Sequence, residues 1–232
     1  YKKGRIIPYP IRDNIMEEGM KKVLFAAVAV FVVSGSSALY SQGLEAGGVK
    51  FSLYGGGGIN YPVVKESLDY YEADPVTSGS YFIGFNGFYN VSDTGSLFAG
   101  LEYSNMSYKL DIESTYPGFE EKSTAKLKAK YMDVNLGYRF TNFQGFYFDA
   151  GLFVGVPVGE WKFEDGGKAS GSEKKNEVGL LVGAGYLIPI AETADLNIGL
   201  ILKRSFTNGY DDGDLKLKRQ LLAVKAGVEM KF

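Results

Sequence analysis

The sequence predicts an all-β fold, namely an eight-stranded antiparallel up-and-down transmembrane β-barrel. Three observations lead to this prediction. Apolar and polar residues alternate with a period of two over eight segments, helical spacing is nearly absent, and short and long connections alternate between the segments. The composition agrees, because the 17 tyrosines and 16 phenylalanines favour strands and the 31 glycines suit bends and close packing within strands.

The residues before the barrel divide into two predicted segments. Residues 1–19 have no periodic pattern and no methionine at position 1, so we interpret them as a mis-annotated upstream extension, with Met20 as the true start. Residues 20–38 are typical of a cleavable signal peptide, because two lysines precede an apolar run that ends in small residues. That run is shorter than the ~20 residues of a transmembrane helix. An uncleaved N-terminal anchor is the alternative.

The barrel itself is predicted over 47–232, and its last strand has the clearest pattern. Every second residue from Leu222 to Phe232 is apolar, whereas the opposite face carries Lys225, Glu229 and several small residues. Seven earlier segments repeat this alternation, the first of them most weakly. The predicted strands cover residues 49–59, 81–89, 97–104, 131–140, 146–156, 178–188, 196–203 and 221–232.

The connections between these segments alternate in length. Three are short, and four are long and polar. An up-and-down barrel with tight turns at one end and long loops at the other has this layout, whereas a Greek-key sandwich does not. The short connections are 92–95, 141–145 and 191–195, and the long ones are 60–79, 109–124, 159–176 and 207–214.

Alternation alone does not say which face of the barrel meets water. A soluble, lipocalin-like barrel also has eight strands, with its apolar residues inside. Here the less apolar face is rich in glycine, serine and asparagine with few charges, which suits a narrow interior better than a water-exposed surface. Aromatic residues flank the turn at 141–145, where Tyr138, Phe140, Phe146 and Phe148 are typical of an interfacial girdle. We therefore expect the apolar face to contact lipid.

With these features, residues 47–232 resemble the small eight-stranded outer-membrane β-barrel proteins of the OmpA-barrel and OmpX/Ail kind. The most specific element is the terminal Phe232 preceded by apolar residues at alternate positions. In that family such an ending resembles the signal read by the barrel-assembly machinery, which implies this role for Val224, Val228, Met230 and Phe232. The resemblance implies an outer-membrane location in a Gram-negative-type envelope, with outer-membrane lipid as surroundings.

The composition excludes several kinds of chemistry. The chain has no cysteine and no histidine, so disulfides, thiolate metal sites and histidine-dependent hydrolysis are ruled out. The net charge of −2 offers no bulk attraction for nucleic acid. The glycine run at 55–58 lacks the following Lys-Ser/Thr of a phosphate-binding loop, and the acidic stretch at 211–214 lacks the final glutamate of an EF-hand. We expect no enzyme activity, no cofactor and no metal site.

Two sets of residues are candidates for roles inside and outside the barrel. Charged residues on the inward face are expected to form mutually neutralising ion pairs, because an unpaired buried charge is costly. Aromatic residues in the long connections are candidates for contacts with a partner or, equally, with the lipid interface. The inward charges are Glu102, Asp133, Arg139, Asp149, Lys203, Lys225 and Glu229. The aromatics are Tyr70, Tyr71, Tyr116, Phe119, Trp161 and Phe163.

These observations lead to an expected function and two alternatives. We expect a non-enzymatic outer-membrane barrel that serves envelope integrity or contacts an extracellular ligand or host surface through its four long loops. A small porin-like conduit for solutes is the first alternative, although a barrel of eight strands is filled by its own side chains. A soluble periplasmic lipocalin-like binding barrel is the second.

Overall fold

A computed structural model describes residues 47–66, 71–114, 122–142, 144–163, 173–212 and 215–232, and these residues contain strands and no helix. No helix within these ranges is therefore long and apolar enough to cross a membrane. The strands are β1 (Val49–Asn60), β2 (Val63–Glu66), β3 (Tyr71–Val76), β4 (Ser78–Asn90), β5 (Gly95–Ser114), β6 (Lys122–Thr141), β7 (Phe146–Pro157), β8 (Lys162–Phe163), β9 (Glu177–Ala191), β10 (Ala194–Ser205), β11 (Tyr210–Asp211), β12 (Leu215–Lys218) and β13 (Gln220–Lys231).

Eight of these strands close into a ring. Each pairs with its neighbours in antiparallel fashion in the order β1, β4, β5, β6, β7, β9, β10 and β13. The first and last strands complete the ring, with a register that runs from Lys50 opposite Lys231 to Asn60 opposite Leu221. Closure leaves no unpaired barrel edge, which is the condition for a sheet to exist in lipid. The predicted eight-stranded up-and-down barrel is confirmed.

The short connections lie together at one end of the barrel. They join β4 to β5, β6 to β7 and β9 to β10, and the start of β1 and the end of β13 lie at the same end. The turn after β6 is held by Asn142, whose side-chain oxygen accepts hydrogen bonds from the amides of Gln144 and Phe146, both at 3.0 Å. Gly145 completes this turn with a φ of +86°, a conformation that glycine adopts without steric cost.

The opposite end of the barrel differs from the prediction. The connection expected at 109–124 is largely strand, because β5 and β6 continue as a hairpin and pair from Gly95 opposite Phe140 to Glu113 opposite Lys122. Their 20 residues each correspond to a strand roughly 65 Å long, against roughly 40 Å for the 12 residues of β7. The alternation is weaker there, so the sequence pattern did not reveal the added length.

Short strands from the other long connections widen this extension. β3 pairs with the outer part of β5, and β8 pairs with the outer part of β6. A separate three-stranded sheet contains β2, β12 and β11 in that order. Connections expected as polar loops therefore form a continuation of the barrel wall and a second small sheet beside it.

Candidate functional site

The outer surface of the barrel is an apolar belt. On β6 the outward residues are Met132, Val134, Leu136 and Tyr138, and Leu136 leaves 57% of its surface exposed. Each of the other seven barrel strands likewise exposes large apolar residues on this side. A soluble protein rarely presents such a continuous apolar surface, whereas a barrel in a bilayer requires one. This orientation agrees with the predicted lipid-facing surface and is the reverse of a lipocalin-like interior.

Aromatic residues mark the turn end of the belt. Phe146 and Tyr186 pack edge to face on neighbouring strands with ring centroids 4.7 Å apart. Phe51 and Phe232 make a similar contact at 5.8 Å, so the last residue of the chain packs against the first barrel strand. Such rings suit the boundary between hydrocarbon and water. The outer surface also has an apolar recess of about 750 Å³, lined by Val49 of β1 and by residues of β4 to β7.

The interior contains charged residues in two clusters. The cluster nearer the turn end is centred on Arg139, which binds Asp149 at 2.6 Å and Glu229 at 2.6 Å. Lys50 reaches Glu229 at 3.3 Å, and Lys225 reaches Asp149 at 3.4 Å. The guanidinium carbon of Arg139 also lies 4.3 Å from the ring centre of Phe88 and 4.1 Å from that of Tyr147. Carboxylates on two edges and aromatic rings on its faces thus satisfy this buried cation.

The second cluster lies nearer the long-connection end. Lys203 binds Glu102 at 2.8 Å and Asp133 at 2.9 Å. Arg219 binds Asp133 at 2.8 Å and Glu177 at 2.7 Å. All five side chains are fully buried, and the hydroxyl of Tyr54 donates a further hydrogen bond to Glu102 at 3.1 Å. Pairing of this kind offsets the high cost of removing each ion from water.

The sequence identified seven of the ten members of these clusters. The structure places all seven on the inner face and brings each into an ion pair, and it adds Lys50, Glu177 and Arg219. The sequence did contain a signal for Glu177 and Arg219. Glu177 occupies an inward position of the alternating pattern together with Gly179 and Leu181, and Arg219 does so together with Leu221. Both residues lie at or just before a strand start, where the pattern alone did not establish that the strand had begun.

An apolar cap covers the second cluster at the long-connection end. Trp161 is fully buried, its ring 5.2 Å from that of Tyr131 and 6.5 Å from that of Tyr210. Its indole nitrogen donates to the carbonyl of Lys130 at 3.4 Å. Other members of the cap come from β2, the outer part of β5 and β6, β8 and β12, namely Val64, Met106, Tyr108, Leu110, Leu127, Phe163 and Leu217.

The cap changes the interpretation of the loop aromatics. Trp161, expected as a contact residue, faces the interior, and Phe163 is half-buried against Tyr210 with ring centres 6.4 Å apart. The reason is that β8 pairs with β6 and so presents these rings to the inside of the extended wall. Tyr71 begins β3, and nothing is described of its side chain. Tyr70, Tyr116 and Phe119 lie outside the described residues.

The acidic stretch at 211–214 adjoins the cap. Asp211 ends β11, Asp212 accepts a hydrogen bond from the hydroxyl of Tyr210 at 3.1 Å, and residues 213–214 lie outside the described ranges. Burial, together with the charges of Asp212 and Glu173, raises the pKa of the Tyr210 hydroxyl. In the part of the chain that the structure describes, no group of three or more acidic side chains could hold a metal ion.

Similarity to known proteins is found among solved structures. No family model and no curated relative matches the sequence. Among solved structures, OprG from Pseudomonas aeruginosa is 18% identical with a TM-score of 0.47, covering 83% of this chain and 99% of its own. Neisserial surface protein A is 14% identical with a TM-score of 0.47, covering 79% and 97%. Ail of Yersinia pestis is 19% identical with a TM-score of 0.41, covering 79% and 99%.

Likeness at this level supports no conclusion about ligand or activity. The closed ring of eight antiparallel strands, the outward apolar belt and the ion-paired interior together define a small transmembrane β-barrel of the outer-membrane class. This is the same class of protein that the sequence resembles in its strand pattern and its terminal Phe232.

Proposed function

We propose that this protein is a non-enzymatic outer-membrane barrel that acts as a closed scaffold and presents its strand extension to the exterior. The observation that carries this proposal is the filled interior. Two layers of ion pairs and an apolar cap occupy the barrel along its length, so the described residues form a rigid plug rather than a lined channel. Envelope integrity and contact with an extracellular ligand or surface are the roles that a closed barrel serves.

The filled interior also weighs against the two alternatives. A conduit needs a continuous polar passage, yet Arg139, Lys203 and Arg219 each form an ion pair with a carboxylate across the lumen. A soluble binding barrel needs an apolar interior for its ligand, whereas the interior here contains ten ion-paired charged side chains and every barrel strand exposes large apolar side chains on its outer face. Neither alternative is supported by a specific feature of the described residues.

Two measurements, made one after the other, test the proposal. Membrane fractions are first compared on gels with and without boiling, and a compact form that shifts on heating is expected in the outer-membrane fraction. The purified protein is then inserted into a planar bilayer, where no steady single-channel conductance is expected. A soluble, unshifted periplasmic protein would contradict the membrane location, and a reproducible open-channel conductance would support the conduit instead.

A further inference from the structure

A cluster of lysines lies on the outer face of the extension, just beyond the apolar belt. The even-numbered residues of β6 face outward, and the apolar run that ends at Met132 is followed by Lys130 and then Lys128, both exposed. Lys162 of β8 pairs directly with Lys128, and Lys109 of β5 pairs directly with Lys126 one step farther out. Residues opposite each other in an antiparallel pair project from the same face. We refer to Lys109, Lys128, Lys130 and Lys162 as the basic cluster.

The height of the basic cluster matches the headgroup layer of a bilayer. Lys130 is in register with Asn105, whose amide donates at 2.9 Å to the hydroxyl of Tyr81, an outward tyrosine at the edge of the belt. Lys130 and Lys128 lie about 7 and 14 Å along the tilted strand beyond Met132. A headgroup layer is roughly 5–8 Å thick on each side, and a lysine stem can bend toward it.

The neighbours of Lys130 and Lys128 on β5 are uncharged. At the level of Lys130 the neighbours on β5 and β4 are Asn105 and Tyr81, and at the level of Lys128 the neighbour on β5 is Ser107. Within the described ranges, the members of the basic cluster form no ion pair. The described acidic residues nearest to them along the chain are Glu160, two residues before Lys162, and Asp111, two residues after Lys109.

Farther from the membrane the sign of the charge reverses. Asp74 of β3 is in register with Asp111 of β5, and Glu72 is in register with Glu113, all beyond the level of Lys109. Asp111 accepts a hydrogen bond from Thr124 at 2.8 Å, and Glu113 forms an ion pair with Lys122. The extension is therefore basic where it leaves the apolar belt and mixed to acidic at the outermost described pairs of β3 and β5, so an anion is attracted to the headgroup level and not to these outer pairs.

We propose that the basic cluster binds the phosphate groups of an anionic, multiply phosphorylated lipid headgroup in the outer leaflet. The lysines span three strand levels, each about 7 Å from the next, so they suit a headgroup with more than one phosphate rather than a single small anion. Lysine contacts phosphate as a flexible point charge, which needs no rigid pocket. Such binding would fix the depth and rotation of the barrel in the leaflet. The inference rests on the membrane location in the proposed function.

The test is a lipid titration of the full chain folded in a neutral maltoside detergent and followed by native mass spectrometry. The probe is diphosphoryl lipid A, with monophosphoryl lipid A and phosphatidylcholine for comparison. The wild-type protein is expected to bind in the order of phosphate number, and to bind more weakly as ionic strength rises. Each lysine near an anionic surface contributes about a fivefold factor, so the triple variant K128Q/K130Q/K162Q is expected to lose about two orders of magnitude in affinity.

A matched variant removes the same charge elsewhere at this end of the protein. K175Q/K216Q/K218Q changes the connection before β9 and β12, and its affinity is expected to stay within about twofold of wild type. The single variant Lys130→Gln provides a second measurement with minimal perturbation and an expected loss of about fivefold. Unchanged binding by the first triple variant, or equal losses in both triple variants, would overturn the proposed site.

Failure of this inference is distinguishable from failure of the proposed function. Every variant is checked for the heat-dependent gel shift before the titration. If the wild-type protein folds as a heat-modifiable barrel but binds the three lipids equally, the lipid site is wrong and the barrel assignment stands. If the wild-type protein shows no such shift in any membrane or detergent, the proposed function itself is contradicted.

Discussion

Arg139 and Asp149 face each other as direct partners on β6 and β7 and form a two-pronged ion pair, with Nε donating to Oδ1 at 2.6 Å and Nη2 donating to Oδ2 at 2.8 Å. Fork-to-fork pairing is the strongest geometry available to a guanidinium and a carboxylate. Because the pair spans neighbouring strands and Arg139 also binds Glu229 of β13, one side chain links three strands of the ring.

Arg139→Met is expected to destabilise the barrel by about 3–5 kcal/mol, because it leaves buried carboxylates without their main cation. The measurement is urea-induced unfolding in lipid vesicles, followed by the heat-dependent gel shift. The double variant R139M/D149N, which removes both members of the pair, should lose less than the sum of the two single variants. Additive losses would show that the two side chains are not coupled.

Trp161→Ala is expected to cost about 3–5 kcal/mol, since it empties the centre of the cap. Phe163→Ala is the matched control, because this ring is only half-buried and should cost clearly less. Trp161 is the single tryptophan of the chain, so fluorescence reports the cap directly. Blue-shifted emission that resists acrylamide is expected in the folded protein, and a solvent-exposed spectrum would contradict the buried position.

Gly145→Ala and Gly47→Ala separate backbone strain from steric contact. Both glycines have a positive φ, +86° and +90°, which alone costs alanine about 1–2 kcal/mol. A Cβ at Gly145 would also lie 2.6 Å from the carbonyl oxygen of Leu187, whereas nothing lies within 4 Å of one at Gly47. Gly145→Ala should therefore be the more destabilising change in equilibrium unfolding. Equal losses would mean that the turn accommodates the methyl group by a small shift.

Leu136→Arg tests the membrane orientation of the belt. Leu136 lies near the middle of the outward run on β6, where arginine is expected to cost about 2–4 kcal/mol in a bilayer. Ile190→Arg is the matched control, because this equally exposed residue lies at the turn end of β9, near the interface, where the cost falls to about 0–1 kcal/mol. The free-energy cost of each arginine substitution is obtained from the folding yield in vesicles. Two equally tolerated substitutions would indicate a water-exposed surface.

The sequence revealed the barrel because its two faces differ over all eight strands. In the last strand, Val224 and Val228 face outward while Lys225 and Glu229 face inward, and a one-residue shift in register would reverse every such choice. The same pattern failed beyond the belt. There Leu127 and Ala129 face inward while Lys128 and Lys130 face outward, yet the predicted strand begins only at residue 131 because the stretch before it looks polar when read without its partner strand.

By itself, therefore, the sequence determined the number of barrel strands, the face that each presents to lipid, and most of the charges that must be buried. Those features follow from local alternation, which every strand carries within its own residues. Only the tertiary structure decided which charges pair, that Glu177 and Arg219 join them, and that Trp161 turns inward as part of a cap. The physical reason is that pairing and capping depend on which strands become neighbours, and ion pairs such as Arg219 with Asp133 join residues far apart in the chain.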